Sequence, residues 1–512
     1  MPFTMAVMAD NHLPSVSGTA QEACLDWALE ALRTRRPDLL VVAGDVTAAG
    51  SPEAATTFRS KLDRSGLSYL ITPGNSDLRN PPQRSTVLAA LETASVLDHR
   101  ECRVVLVDTA EGGVTPEARL ALTQADHGLG DRALVVVTHC PPESLVPESR
   151  QWFEAWAQQV RPSLVLAAHT HRDRQCHWAG TTLHVVRGVD PDKAIGGPPA
   201  LVMFELQEGA WRRSDLCFPD GTADGWSSAE SEDFGAMLGL ACSRDVCGGL
   251  LRAAAEKVPC MELRAKAAAA ELEGLCDALE AWRASDGRYL SWHMPDVPWT
   301  EDGAPSDELA TWRDLLRLGL ERGLQALTVH VPRAPVRLMQ PDSPTWRSLG
   351  DLYCRLLEPA VARGVLVHVE NMHMTARDAP DDSRRYGYLP EECLAWVDEL
   401  RSQLGRETVR MLLDLGHARN NDPFASEFTL GAWYALVGQH TGGYHLHQVV
   451  SSDGGMKNHQ PVTDLHGPLV SFSSFLWAWH AGQLNHAPVF IEVPDAEGQR
   501  VSLQTFRRML KL

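Results

Sequence analysis

Residues 38–47 read DLLVVAGDVT, in which the short apolar run Asp38–Ala43 leads to Gly44 and Asp45. A run this short, apolar on both faces and bounded by glycine, reads as a fully buried strand of a parallel sheet. The strand stops on a carboxylate, and its neighbours stop in the same way. Thr4–Ala9 runs into Asp10-Asn11-His12, Ser68–Thr72 into Gly74-Asn75, Ala133–Thr138 into His139, and Ser163–Ala168 into His169-Thr170-His171. Buried strands ending on carboxylates and imidazoles gather those groups along one carboxyl edge, where open α/β proteins bind ligands. A second series of the same kind fills the other half of the chain, so the pattern predicts a metalloenzyme with two centres.

The bulk properties fit that reading. At 512 residues the chain exceeds one hydrophobic core, and 44% apolar content predicts folded domains. A formal charge of −19 argues against a broad basic face for nucleic acid. The 11 cysteines include no C-x-x-C pair and read as thiols of a reducing compartment. With no signal-type segment and no apolar run long enough to span a bilayer, the expectation is a soluble cytoplasmic protein without a membrane partner. A G-x-x-x-x-G-K loop is absent, which argues against P-loop nucleotide hydrolysis.

The stretch FPDGTADGWSSAESED, residues 218–233, lacks periodicity and reads as a linker between domains at 1–217 and 234–512. Beyond it, eight strand-like runs are predicted: Phe234–Ala241, Cys260–Arg264, Tyr289–Met294, Leu324–Val331, Val365–Glu370, Val409–Leu415, Gly443–Val449 and Pro488–Val493. Helical patterns alternate with them, including Asp307–Arg322, Pro390–Leu404 and Val470–Ala481. Eight such units in about 280 residues match the rhythm of a (β/α)8 barrel. The predicted fold class is therefore α/β, an N-terminal α/β sandwich followed by a C-terminal TIM barrel.

Two divalent ions about 3.5–4 Å apart can clamp a phosphoryl group, given a bridging carboxylate with oxygen and imidazole donors on either side. The blocks DNH, GDVT, GNSD, THCPP and AHTH, in order over roughly residues 1–200, supply that set. In these blocks the chain resembles the calcineurin-like metallophosphoesterases. The resemblance implies that Asp10, His12, Asp45 and His171 hold one ion and that Asp45, Asn75, His139 and His169 hold the other. Asp45 would bridge, with Asp45, Asn75 and His139 serving catalysis and manganese, iron or zinc as the metals. Two positions depart from the pattern. Ala168 replaces the usual glycine, and Ser76 stands where the family often carries a histidine that protonates the leaving group, which shifts proton delivery to water or Asp77. Asp77 reads as a supporting residue; His127, His177 and His184 read as structural.

Barrel active sites sit at the carboxyl ends of the strands. Those ends carry His293, His330, Glu370, Asp414 with His417, His445, then Asp464 and His466 in the loop after the seventh strand, and Glu492. This series resembles the xylose-isomerase-like barrels and, within them, the endonuclease IV-like branch. The resemblance implies two or three zinc or manganese ions. His293, His330 and Glu370 would hold the first; Glu370, Asp414, His445 and Glu492 the second; His417, Asp464 and His466 the third. Glu370 and Glu492 are the expected catalytic carboxylates. His447 falls on the same face as His445 by period-two alternation, and His459 reads as a solvent residue. In the loop Met374–Tyr388, Arg384 and Arg385 are candidate phosphate contacts, with a solvated charged loop as the alternative. Trp292 and Trp299 read as pocket-lining or packing residues.

Together these readings predict a bifunctional metal-dependent phosphoesterase acting on a small-molecule or nucleotide-type substrate. The alternatives are a phosphoesterase fused to a sugar isomerase or epimerase barrel, a repair nuclease cutting at abasic sites, which the acidic balance disfavours, and a non-catalytic scaffold.

Overall fold

The computed structural model describes residues 2–222, 226–300, 308–375, 377–453 and 455–512. Residues 223–225 of the expected linker, the first residue of the helix expected at 307–322, and residue 376 of the loop 374–388 lie outside them. The chain divides into two compact units, Met1–Asp220 with His466–Trp477, and Gly221–Leu465 with Ala478–Leu512.

The first unit is built on two sheets. In one, Phe3–Met8, Leu39–Ala43 and Tyr69–Thr72 run parallel, and the antiparallel strands Ala200–Gln207 and Ala210–Cys217 extend the edge. In the other, Cys102–Val107, Ala133–Thr138, Leu164–Ala167 and Thr181–Val185 are parallel, edged by Val96–Asp98 and Arg174–Trp178. Period-two alternation sorts their side chains. Met5, Val7, Leu39 and Val41 share a core with Val104, Leu106, Val135 and Val137, while Ala6, Met8, Leu40 and Val42 pack with Leu25, Phe58 and Leu62 of the covering helices. Those helices, Ala20–Arg35 and Pro52–Ser65, start on Thr19 and Ser51, whose hydroxyls accept from Glu22 and Ala54 amides. With both faces covered, the strand ends are the place left for polar groups.

The second unit is a closed eight-stranded barrel of Leu238–Cys242, Cys260–Arg264, Tyr289–His293, Ala326–His330, Leu366–Glu370, Val409–Asp414, Thr441–Leu446 and Val489–Ile491, parallel throughout. Its register sets Arg264 beside His293, His330 beside Glu370, and Asp414 beside His445. The first strand begins later than expected. Phe234 belongs to the helix Ser228–Met237, which starts on a capping box of Ser227 and Glu230 inside the expected linker. After the seventh strand the chain folds into a hairpin of Gln448–Ser452 and Gly455–Gln460. No helix among the described residues is long and apolar enough to cross a membrane.

Candidate metal centres

In the first unit the strand-end residues converge. Asp45 Oδ2 lies 3.4 Å from His12 Nε2 and its Oδ1 lies 3.3 Å from His139 Nε2. His139 Nε2 is also 3.1 Å from Asn75 Oδ1 and 3.3 Å from His169 Nδ1. On the other side, Asp10, His12 and His171 bring one donor atom each within 4.8 Å of one another. The backbone is bent to reach this arrangement. Asp10, His12, Asp45, His169 and His171 all have φ between 46° and 71°, a left-handed conformation costing about 1–2 kcal/mol per non-glycine residue. Glycine clears the space: a Cβ on Gly74 would lie 2.2 Å from the Asp45 amide and Oδ1, and one on Gly44, at φ +86°, 2.5 Å from His139 Nδ1.

The donor set fits divalent ions. Neither ring nitrogen of His12 makes a hydrogen bond, nor does Nδ1 of His171, although these atoms are buried. Burial, reinforced by Lys193, keeps these two imidazoles neutral, the form a metal requires. Burial opposes charge on Asp45, but His139 and His12 outweigh it and hold the carboxyl well below its ordinary range. Orphaned buried nitrogens cost about 1–3 kcal/mol each unless something takes their lone pairs.

Two neighbours are occupied elsewhere. Ser76 donates its hydroxyl to Thr47 O and its amide to Asp45 Oδ1. Asp77 is fully buried and accepts from the Thr47 amide and hydroxyl and the Gly74 amide, so it braces the Asp45 and Asn75 loops. His127 and His177 are exposed, and His184 is buried beside Arg213.

The barrel gathers its own set at the carboxyl end. Glu370 Oε2 is 2.8 Å from His293 Nε2 and 3.1 Å from His330 Nε2. Its Oε1 is 3.3 Å from His445 Nδ1 and 3.5 Å from His417 Nδ1. His445 Nδ1 also lies 3.1 Å from Glu492 Oε2. Asp296 stands 2.5 Å from His330 Nδ1, so the imidazole turns Nε2 inward, as a carboxylate-backed ligand does. Burial works against charge on Glu370 and Glu492, and the surrounding imidazoles, His445 first, override it and hold both well below the usual carboxylate range.

The third group differs from expectation. His417, His447 and His459 place donor atoms within 4.8 Å, and Asp414, His447, His459 and Glu492 do likewise. His447 Nε2 is 3.1 Å from Asp414 Oδ1, and the hairpin returns His459 so that its amide donates to His447 Nδ1. His466 instead belongs to the first unit, its Nε2 2.9 Å from Asp220 Oδ2, and Asp464, two residues before it, is half-buried. Arg384 corrects another expectation. It is buried, paired in fork fashion with Glu392 at 2.5 and 3.0 Å, and laid over Phe424, so it braces the loop and does not present itself to substrate. Arg385 is exposed. Trp292 is fully buried packing.

Besides Asp296, Glu262 and Arg264 fall outside the set expected from the strand ends. Glu262, in the middle of the second strand, accepts from Ser291 and Thr328 hydroxyls at 2.9 and 2.6 Å and from His445 Nε2 at 2.7 Å. Burial opposes its ionisation, but His445 carries it down to about 2. Arg264 closes the same strand, with Nη2 2.5 Å from Glu492 Oε1 and Nη1 3.0 Å from His293 Nδ1. A lone glutamate in the run CMELR was the available signal for Glu262, since an acid amid four strand residues needs a buried partner.

Carboxylate and imidazole donors gathered at the strand ends of the first unit fit a metal-dependent hydrolase acting on phosphoesters. The family model of calcineurin-like phosphoesterases matches residues 3–173, within the first unit. The chain is similar to a probable cyclic nucleotide phosphodiesterase of Synechococcus, 23% identical over 246 residues, which are 43% of this chain and 90% of that protein. It is also similar to the 3',5'-cyclic adenosine monophosphate phosphodiesterase CpdA of Pseudomonas aeruginosa, 29% identical over 161 residues, 29% of this chain and 57% of that one. Among solved structures, D-psicose 3-epimerase of Clostridium cellulolyticum bound to D-tagatose aligns with a TM-score of 0.39 at 12% identity, covering 54% of this chain and 99% of that one.

Proposed function

We propose that this chain is a bifunctional phosphoesterase for a small-molecule or nucleotide-type phosphodiester or phosphomonoester, with a dinuclear site in the first unit and a second, up to trinuclear, site in the barrel. The observation that carries the reading is shared by both units. One buried carboxylate, Asp45 in the first and Glu370 in the second, divides its two oxygens between two groups of imidazoles. Divalent ions, when bound, polarise the phosphoryl group and acidify water at neutral pH.

In the first unit the Ser76 amide fixes Asp45 Oδ1, and the Ala43 carbonyl, 2.9 Å from His139 Nδ1, orients that imidazole. Ser76 and Asp77 are committed to the Thr47 and Gly74 loops, so the leaving-group proton comes from solvent, which favours esters with good leaving groups. In the barrel, His417, His447 and His459 beside Asp414 support a three-ion hydrolase over a two-carboxylate epimerase. Two ligand sets in one chain support consecutive steps, diester to monoester and then to phosphate.

The test is metal counting with a panel of phosphodiesters and phosphomonoesters on Asp45→Asn and Glu370→Gln. Each variant is expected to lose part of the metal, Asp45→Asn the diesterase step and Glu370→Gln the other. Unchanged metal content and activity in Glu370→Gln would remove the barrel from the chemistry.

A further inference from the structure

We propose that Arg264 is the oxyanion contact of the barrel site, freed to grip a substrate phosphate when His293 ligates a metal. This inference rests on the barrel being a metal centre. A guanidinium at the end of the second strand sits directly among the ligands, touching Glu492 and His293, where its charge opposes that of any bound cation. Its side chain is 31% exposed while the residues it touches are almost wholly buried, so it forms part of the open wall of the site.

The hydrogen bonds explain how that position is used. His293 Nδ1 lies 3.0 Å from two groups that make opposite demands. Arg264 Nη1 donates and requires a bare nitrogen there; the Met294 carbonyl accepts and requires N–H. In the first case the ring proton sits on Nε2 and is donated to Glu370 Oε2, 2.8 Å away. A metal on Nε2 forbids that tautomer, because the lone pair must face the ion. The proton then moves to Nδ1, where the Met294 carbonyl already waits. Arg264 keeps Glu492 on one prong and loses its acceptor on the other. An unsatisfied guanidinium prong on the wall of a phosphoester site is the geometry that receives a phosphate oxygen. A neutral sugar offers it no comparable partner.

The experiment uses the full chain carrying Asp45→Asn, which removes phosphate capture by the first unit. Inorganic phosphate is titrated calorimetrically into manganese-loaded and metal-stripped protein, with Arg264 intact, Arg264→Lys or Arg264→Met. In loaded protein Arg264→Met is expected to weaken phosphate at least tenfold with metal content unchanged, and Arg264→Lys, which keeps the charge without the fork, to recover part of the loss. Stripped protein should bind phosphate equally weakly whichever residue stands at 264. Equal phosphate affinity in loaded parent and Arg264→Met overturns the proposal, as does loss of metal from Arg264→Met, which would make Arg264 a brace for the ligands. Acetate binding as tightly as phosphate overturns the assignment to phosphate. A barrel that takes up no metal fails differently: Glu370→Gln then leaves the metal count unchanged, and the fault lies in the reading of the barrel.

Discussion

Replacing Glu262 by glutamine changes one atom at the centre of the barrel and tests how the ligands are held. Glu262 Oε1 takes the Nε2 proton of His445, which leaves Nδ1 of that ring, 3.1–3.3 Å from Glu492 and Glu370, as the nitrogen available to a metal. Glutamine keeps an acceptor for His445 if its amide turns toward Ser291 and Thr328, whose hydroxyls then reverse and accept. The fold loses the difference between a charged and a neutral hydrogen bond, about 1 kcal/mol. The metal loses more, because a carboxylate behind an imidazole raises its basicity, and removing such a group lowers affinity about 10–100-fold, or about 1.4–2.7 kcal/mol. Manganese titration against a competing chelator separates two classes of site, and only the barrel class should weaken, with the first unit as internal control. Glu262→Leu, which strands three donors, should instead destabilise the barrel by about 3–6 kcal/mol in urea denaturation. Glu262→Gln with manganese affinity identical to the parent would refute the argument and leave Glu262 a packing residue.

Gly74→Ala should abolish metal binding in the first unit, since its Cβ would meet Asp45 Oδ1 at 2.2 Å; elemental analysis should show the loss, with diesterase activity falling more than about 100-fold if Asp45 is the bridge. Arg384→Met leaves Glu392 buried without its cation and should cost about 3–5 kcal/mol in urea, while KM for phosphoesters stays unchanged; a raised KM at full stability would return Arg384 to the substrate. Burial, then Arg213, pushes His184 down to about 4. Its folded value lies below the unfolded one, so its contribution is complete above about pH 6.5 and is lost as pH falls toward 4, by at most about 2.5 kcal/mol at pH 4.5. His184→Gln should flatten that part of the pH–stability curve relative to the parent, and parallel curves for the two proteins would count against it.

The two halves were legible to different depths. Fully buried parallel strands announce themselves as short apolar runs, and a strand that must end in solvent-free space ends on residues with a reason to be there. Asp10, Asp45, His139, His293, His330 and Glu370 were therefore visible. Glu262 was not, because attention to strand ends passes over an acid in mid-strand whose partners, Ser291, Thr328 and His445, come from three other strands. Asp464 and His466 are expected as ligands from the endonuclease IV-like resemblance and His459 as a solvent residue, whereas the hairpin Gln448–Gln460 carries His459 back to His447, a pairing that local patterning does not encode. Phe234 reads as the start of a strand from its apolar neighbours, whereas the capping box seven residues earlier starts the helix that contains it.

Arg264 with His293, His330 with Glu370, and Asp414 with His445 are partners across three different seams of the closed sheet. A slip of one residue at any seam turns a strand inside out and sends its chemistry to the helix side. Ions that bound only the aligned arrangement would act as a gauge of correct closure: they would stabilise the barrel whose seams all match and give nothing to one that is a residue out of step.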